Sequence, residues 1–311
     1  MKRFILRTIL FLLPLAVLMV LFENSQRQAP HEFKYKAQFM EQHASELEVL
    51  VMGLSYTHRM NLNFWGYKSF NLSYSNQATE RDYALWMRYR DELTSLKYVV
   101  YPLSCWFHQN RSTGIESWRT PFYTIHYNLP APMLDLQKRF ITANPKIATK
   151  RLGSILSGDE ASLRVTCDRL GSSTPLLKDR PEDWEGKSGE FMAHRHSDVD
   201  PENARANRET LTEMVADFEK RGIRVILVTP PTWHTYYDYL SDEVVRMTEE
   251  LGEELQKEFS NVRYVNMLKD KRFVKDDFFD DSHLNYDVGG RKWAELLRQE
   301  IEADQKNLAK E

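Results

Sequence analysis

Apolar positions in this chain fall into three patterns. The first is a single long run, in which Lys2, Arg3 and Arg7 flank Phe4, Ile5 and Leu6, and residues 8–22 read TILFLLPLAVLMVLF. That length is enough to cross the hydrocarbon core of a bilayer, and the basic flank predicts that its N-terminal side stays in the cytoplasm. Pro14 inside the run is tolerated in membrane helices. The run ends Val20-Leu21-Phe22-Glu23-Asn24 with no small-x-small cleavage site, which predicts an uncleaved signal anchor over residues 1–23. A buried helix of a soluble protein is the alternative. With the anchor reading, the remainder of the chain lies outside the cytoplasm.

The second pattern is a set of short apolar runs at residues 47–52, 67–72, 96–101, 223–228 and 262–266, each bounded by turn residues. Runs of this length predict buried strands. Between them lies the third pattern, apolar residues at helical spacing among charged ones: residues 33–45, 78–93, 201–221, 241–259 and 287–303. Asp200-Pro201 predicts a capped helix start and Gly222 its end. Alternating strands and helices predict an α/β, doubly wound (flavodoxin-like) parallel sheet of five strands with helices on both faces. Residues 24–45 then serve as a linker and lead-in helix, and residues 46–311 form the α/β domain. Periodicity weakens between residues 103 and 200, which reads as a large insertion over the active edge of the sheet.

Composition narrows the possibilities. The chain has 311 residues, 42% of them hydrophobic, which allows a substantial core. A net charge of −3 with scattered Lys and Arg leaves no footprint for nucleic acid. The only cysteines, Cys105 and Cys167, make at most one disulfide and no zinc site by themselves.

Chemistry concentrates at the carboxyl ends of the strands. Gly53-Leu54-Ser55 follows the first predicted strand, where a strand turning into a helix can expose a serine. Near the other end, Asp280-Asp281-Ser282-His283 sets an acid before a histidine ahead of the last helix. A neutral imidazole accepts a serine proton when a carboxylate holds its other nitrogen. Asp280 has the spacing to do so, and Asp281 is the alternative.

Together, Gly53-Leu54-Ser55, Asn71-Leu72-Ser73-Tyr74-Ser75-Asn76 and Asp280-Asp281-Ser282-His283-Leu284 resemble the first, second and last blocks of the SGNH/GDSL hydrolase superfamily. The resemblance covers about residues 46–301, apart from the insertion. With its anchor, the chain is similar to the membrane-associated branch typified by the D-alanyl-transfer protein of teichoic acids and the alginate O-acetylation proteins. The resemblance implies Ser55 as nucleophile, His283 as base, Asp280 as orienting acid, and Ser55 and Asn76 as oxyanion donors. It departs from the family in having Leu54 where aspartate is usual, Asn76 in place of glycine, and no third-block asparagine after the third strand. There the chain offers Pro102-Leu103-Ser104, with Gln109 and Asn110 beyond.

What the resemblance implies is a serine esterase or O-acyltransferase at a bacterial cytoplasmic membrane, with its main domain periplasmic. It would act on acyl esters of a cell-envelope glycan, without metal or organic cofactor, beside an integral-membrane acyl donor protein. A catalytically silent domain serving an envelope acylation or export machine is the competing expectation. Two other features have structural readings. His194, His196, Asp198 and Asp200 have alternate spacing that suits metal ligands, yet before a helix cap they read as a solvated polar loop. The aromatic stretch from Trp106 through Trp118, Phe122 and Tyr123 to Tyr127 suits a carbohydrate or acyl groove, but equally suits packing of the insertion.

Overall fold

Each of the five short apolar runs becomes a strand. In the computed structural model, which describes residues 1–111, 119–131, 133–158, 165–186 and 188–308, the chain begins with α1 (Lys2–Gln28) and α2 (Glu32–His43). It continues through β1 (Val49–Val51), α3 (Ser55–His58), β2 (Ser69–Asn71), α4 (Thr79–Tyr89) and β3 (Tyr98–Pro102). Next come α5 (Thr120–His126), α6 (Leu136–Arg139), α7 (Pro145–Ser157), α8 (Gly189–Ser197) and α9 (Pro201–Lys220). The last part holds β4 (Arg224–Thr229), α10 (His234–Tyr237), α11 (Asp242–Glu258), β5 (Val262–Asn266), β6 (Phe278–Asp280), β7 (His283–Leu284) and α12 (Gly289–Leu308).

β1 to β5 make one parallel sheet in the order β2-β1-β3-β4-β5, the doubly wound arrangement that the patterning predicts. Val49, Val51, Val100, Ile226 and Val228 share one face with Trp293, Leu297 and Ile301 of α12. The alternate residues Leu50, Val99, Val225 and Leu227 point the other way and are buried too. Burial on both faces explains why these strands read as continuous apolar runs. On the helical layers, Trp86 of α4 meets Phe218 of α9 edge to face at 4.5 Å, and its indole N–H donates to Asp217 at 2.8 Å. The Asp200 carboxylate caps α9 by accepting the N–H groups of Glu202 and Asn203, both at 3.0 Å. Gly222 follows that helix with φ +70°, a left-handed conformation that suits glycine.

The described chain packs as two compact units, residues 1–38 with 115–165, and residues 39–114 with 166–311. The segment between 103 and 200 is therefore divided, its middle packing with the N-terminal helices. In that first unit Phe33 of α2 stacks on Phe122 at 5.3 Å and meets Tyr123 edge-on at 5.0 Å. α1 is long and apolar enough to span a membrane. It runs on through the predicted polar linker to Gln28, supported by a Glu23–Arg27 ion pair at 2.8 Å one turn apart, and ends just before Pro30.

Candidate active site

Because the sheet is parallel, the turns that leave β1, β2, β3 and β4 emerge at one edge. The turn after β1 is tightly constrained. Gly53 has φ +104°, and a Cβ added there would lie 2.3 Å from Pro102 Cδ, so the position admits only glycine. Its N–H donates to Asp82 Oδ1 at 3.0 Å and its carbonyl accepts the Tyr74 N–H at 3.1 Å. Thr57 closes the turn by donating from Oγ1 to the Met52 carbonyl at 2.9 Å. Ser55 is the first residue of α3, after Leu54 in an extended conformation. Its own N–H belongs to the first helical turn, where no intrahelical acceptor exists, and no described residue accepts it.

The acid and histidine come from the antiparallel β6–β7 hairpin, in which Asp280 and His283 are paired. The sequence reads this stretch as a loop. Asp280 Oδ1 accepts the N–H groups of Ser282 at 3.1 Å and His283 at 2.9 Å, which folds the carboxylate back over its own turn. The same oxygen lies 2.8 Å from His283 Nδ1, and His283 Nε2 lies 2.8 Å from Ser55 Oγ. A proton on Nδ1 donated to Asp280 leaves Nε2 free to accept from the serine hydroxyl. The relay is continuous.

Two residues that sequence reasoning missed hold this relay in place. Arg59 Nη1 donates to Asp280 Oδ2 and to the Leu284 carbonyl, each at 3.3 Å, and its guanidinium lies 5.2 Å from the Phe279 ring centroid. The Tyr56 ring stacks on His283 at 4.9 Å. Burial raises the Asp280 carboxyl, but the neighbouring His283 and Arg59 outweigh it and hold Asp280 well below the usual carboxylate range. Behind Tyr56 the phenol of Tyr236 is bonded to Tyr56 and lies 2.7 Å from His196 Nδ1. Burial drives both phenols upward and, together with the charge of His283, drives His196 down to about 3. The layer behind the His283 imidazole is therefore uncharged at neutral pH. Neither Arg59 nor Tyr56 carries a distinctive sequence signal, because Tyr56 lies in a helix too short to pattern and Arg59 directly follows it.

Asp82 is a third such residue. It is fully buried on α4 and accepts from Gly53 N–H, from Gln77 Nε2 at 2.6 Å and from the Tyr101 hydroxyl at 3.2 Å. With only neutral donors around it, burial prevails and its carboxyl is pushed up to about 7.

The other predicted residues separate. Asp281 accepts from Gly186 N–H at 2.8 Å and from the Ser188 and Thr235 hydroxyls, so it ties the turn before α8 to α10 and its side chain is committed away from His283. Asn76 is exposed, with a left-handed φ of 53°, in the turn after β2 that bonds to Gly53. Gln109 donates to the carbonyls of Arg195 and Asp198, and Asn110 donates to the Gln77 carbonyl at 3.1 Å. In the same turn Ser104 Oγ and Trp106 Nε1 are buried with no partner among the described residues.

The first five residues of the AHRHSDVD segment end α8, and only Asp198 to Asp200 form the link to α9. His194 is exposed beside Glu190, His196 is buried against Trp106 at 4.6 Å, and Asp200 caps α9, since positions two apart on a helix face different ways. Among the described residues no group of three His, Cys, Asp or Glu is placed to hold a metal. Trp106 packs in the α/β unit, Phe122 and Tyr123 pack in the other, and Trp118 lies outside the described residues. Cys105 and Cys167 are not joined in a disulfide.

No family model and no curated protein matches this chain. Among solved structures, it is similar to a Bacteroides fragilis protein provisionally described as an acylhydrolase, at 11% identity and a TM-score of 0.40, over 86% of this chain and 95% of that one.

Proposed function

We propose that this chain is a membrane-anchored, extracytoplasmic serine esterase or O-acyltransferase of the SGNH type, acting on acyl esters of a cell-envelope glycan. The observation that carries the reading is the unbroken relay from Ser55 Oγ through His283 to Asp280, at 2.8 Å for each link. Ser55 Oγ attacks the acyl carbonyl while its proton passes to His283 Nε2. Asp280, held ionised, stabilises the imidazolium and fixes the tautomer. The developing oxyanion is met by the unengaged N–H of Ser55 and by a donor of the Asn76 turn. Collapse expels the alcohol, which takes the proton from His283, and leaves an ester on Ser55. Water or a sugar hydroxyl, deprotonated by His283, then attacks that ester and regenerates the serine. No cofactor is required, and an integral-membrane protein would supply the acyl group.

Replacing Ser55 with Ala abolishes release of the acid from a chromogenic acetyl ester, with a loss of up to about six orders of magnitude in kcat. Unchanged turnover would refute the assignment.

One observation favours a second reading, a catalytically silent component of an envelope acylation machine. Gln109 and Asn110, the amides available after β3, are both committed to backbone carbonyls, so neither is available as a third oxyanion donor. A fluorophosphonate probe separates the two readings, because only an activated serine reacts with it.

A further inference from the structure

The anchor helix ends in a polar latch. Glu23 follows the last apolar residue and is only 7% exposed. Its carboxylate accepts the N–H groups of Ile141 at 3.3 Å and Thr142 at 3.0 Å, the Thr142 hydroxyl at 2.8 Å, and Arg27 Nε at 2.8 Å. Arg27 also donates to the Arg139 carbonyl at 3.2 Å and lies 5.6 Å from the Phe140 ring centroid. These bonds fix residues 139–142 at one level of α1, the top of its apolar run.

That level sets a depth. At ~1.5 Å per residue, the run from Phe4 to Phe22 is ~28 Å long, close to a hydrocarbon core. By the same rise, Ala16, Met19 and Val20 lie ~3–9 Å below its upper end. Those three line one side of a groove of about 660 Å³, with Leu136 and Phe140 on the other. Leu136 in that wall is 59% exposed, and Leu134 and Met133, two and three residues before it, are 92% and 79% exposed. Exposed apolar side chains so close in sequence are costly in water, and they lead into a groove whose other wall is a helix face suited to lipid.

We propose that residues 133–143 form an interfacial membrane element, with lipid acyl chains of the leaflet on the domain's side filling the groove between α1 and α6. Lys138 and Arg139 on α6 then belong at headgroup level, where basic side chains extend towards water. This rests on the reading of α1 as a membrane anchor. The bilayer is the occupant because the groove's own wall is the spanning helix, and because the latch keeps the segment at the depth of the apolar run.

The test uses the full chain with Cys167→Ser, Cys105 being buried, reconstituted into vesicles of pure phosphatidylcholine. Nitroxide labels are attached, one at a time, through Leu134→Cys, Leu136→Cys and Leu12→Cys. Collision with oxygen and with a water-soluble nickel chelate is read at each. The expected result is a ratio of oxygen to nickel collision at Leu134 and Leu136 several-fold above that of free label in buffer, as at Leu12. A lipid-like Leu12 with aqueous Leu134 and Leu136 overturns the interfacial element and leaves the anchor standing. An aqueous Leu12 overturns the anchor reading and the inference with it.

Discussion

Two carboxylates support Ser55 from different parts of the chain, and they end in opposite electrostatic states. Asp280, in the β6–β7 hairpin, is held below the usual carboxylate range, whereas Asp82, beneath the Gly53 turn, is pushed up to about 7. Both accept three or more hydrogen bonds, so the number of donors does not distinguish them. What differs is formal charge. Asp280 has Arg59 and His283 beside it, while Asp82 has an amide, a backbone N–H and a phenol. Neutral donors lessen the cost of burying a charge, but a neighbouring cation reverses it. The hairpin side of the site is thus built to keep its acid ionised, and the side beneath Gly53 is built to hold a turn.

The largest effect that sharpens this contrast comes from Asp280→Asn. It preserves shape but presents an amide to His283 Nδ1, favours the wrong tautomer, and lowers kcat by about four orders of magnitude. Asp281→Asn, one residue along, leaves kcat per folded molecule nearly unchanged and instead costs about 1–3 kcal/mol in a denaturation curve, through the hydrogen bonds that Asp281 accepts. Equal kinetic losses in the two variants would break the comparison.

Arg59→Met tests the cation itself. Without the guanidinium the Asp280 carboxyl rises towards its ordinary value, so the midpoint of acid unfolding moves to higher pH, and the less firmly held imidazole costs about tenfold in kcat at neutral pH. The direction follows from the sign of the perturbation. A depressed carboxylate contributes stability above its unfolded pKa and loses it only as pH falls through the lower folded value.

Asp82→Asn has the smallest effect at neutral pH, because an amide oxygen still accepts from Gly53 and Gln77 while the amide NH₂ faces Tyr101. Its signature is in stability against pH. A carboxyl raised from 3.8 to about 7 gives stability that is full below 3.8 and is lost as pH rises through about 7. Wild-type stability relative to Asp82→Asn should therefore fall across that window by a few kcal/mol, on the order expected for a shift of this size. A flat difference between pH 4 and 7 in urea melts would show that Asp82 is not the titrating group.

The same contrast explains what could be read from the sequence. The sheet was legible because strands buried on both faces have no choice but continuous apolar runs, and Asp200 and Gly222 mark the ends of α9 by local backbone chemistry alone. Asp280 and His283 were legible because the two residues meet within one turn of chain. Asp82 was not, since in a helix reading TERDYALWMRY an aspartate looks like part of the solvated face, and only the tertiary fold buries it. The hairpin that carries Asp280 reads as a loop because its strands are three and two residues long, too short to show alternation. The choice between Asp280 and Asp281 needed three dimensions, because Gly186, Ser188 and Thr235, which occupy Asp281, are distant in sequence.

The central claim is that Ser55 is made nucleophilic by His283, and covalent labelling tests it most directly. Full-length protein treated with a fluorophosphonate and mapped by peptide mass spectrometry should carry one adduct, on Ser55. That adduct should be lost in Ser55→Ala and in His283→Ala, and strongly slowed in Asp280→Asn. An unlabelled wild-type protein, or an adduct that persists when His283 is replaced, would contradict the account.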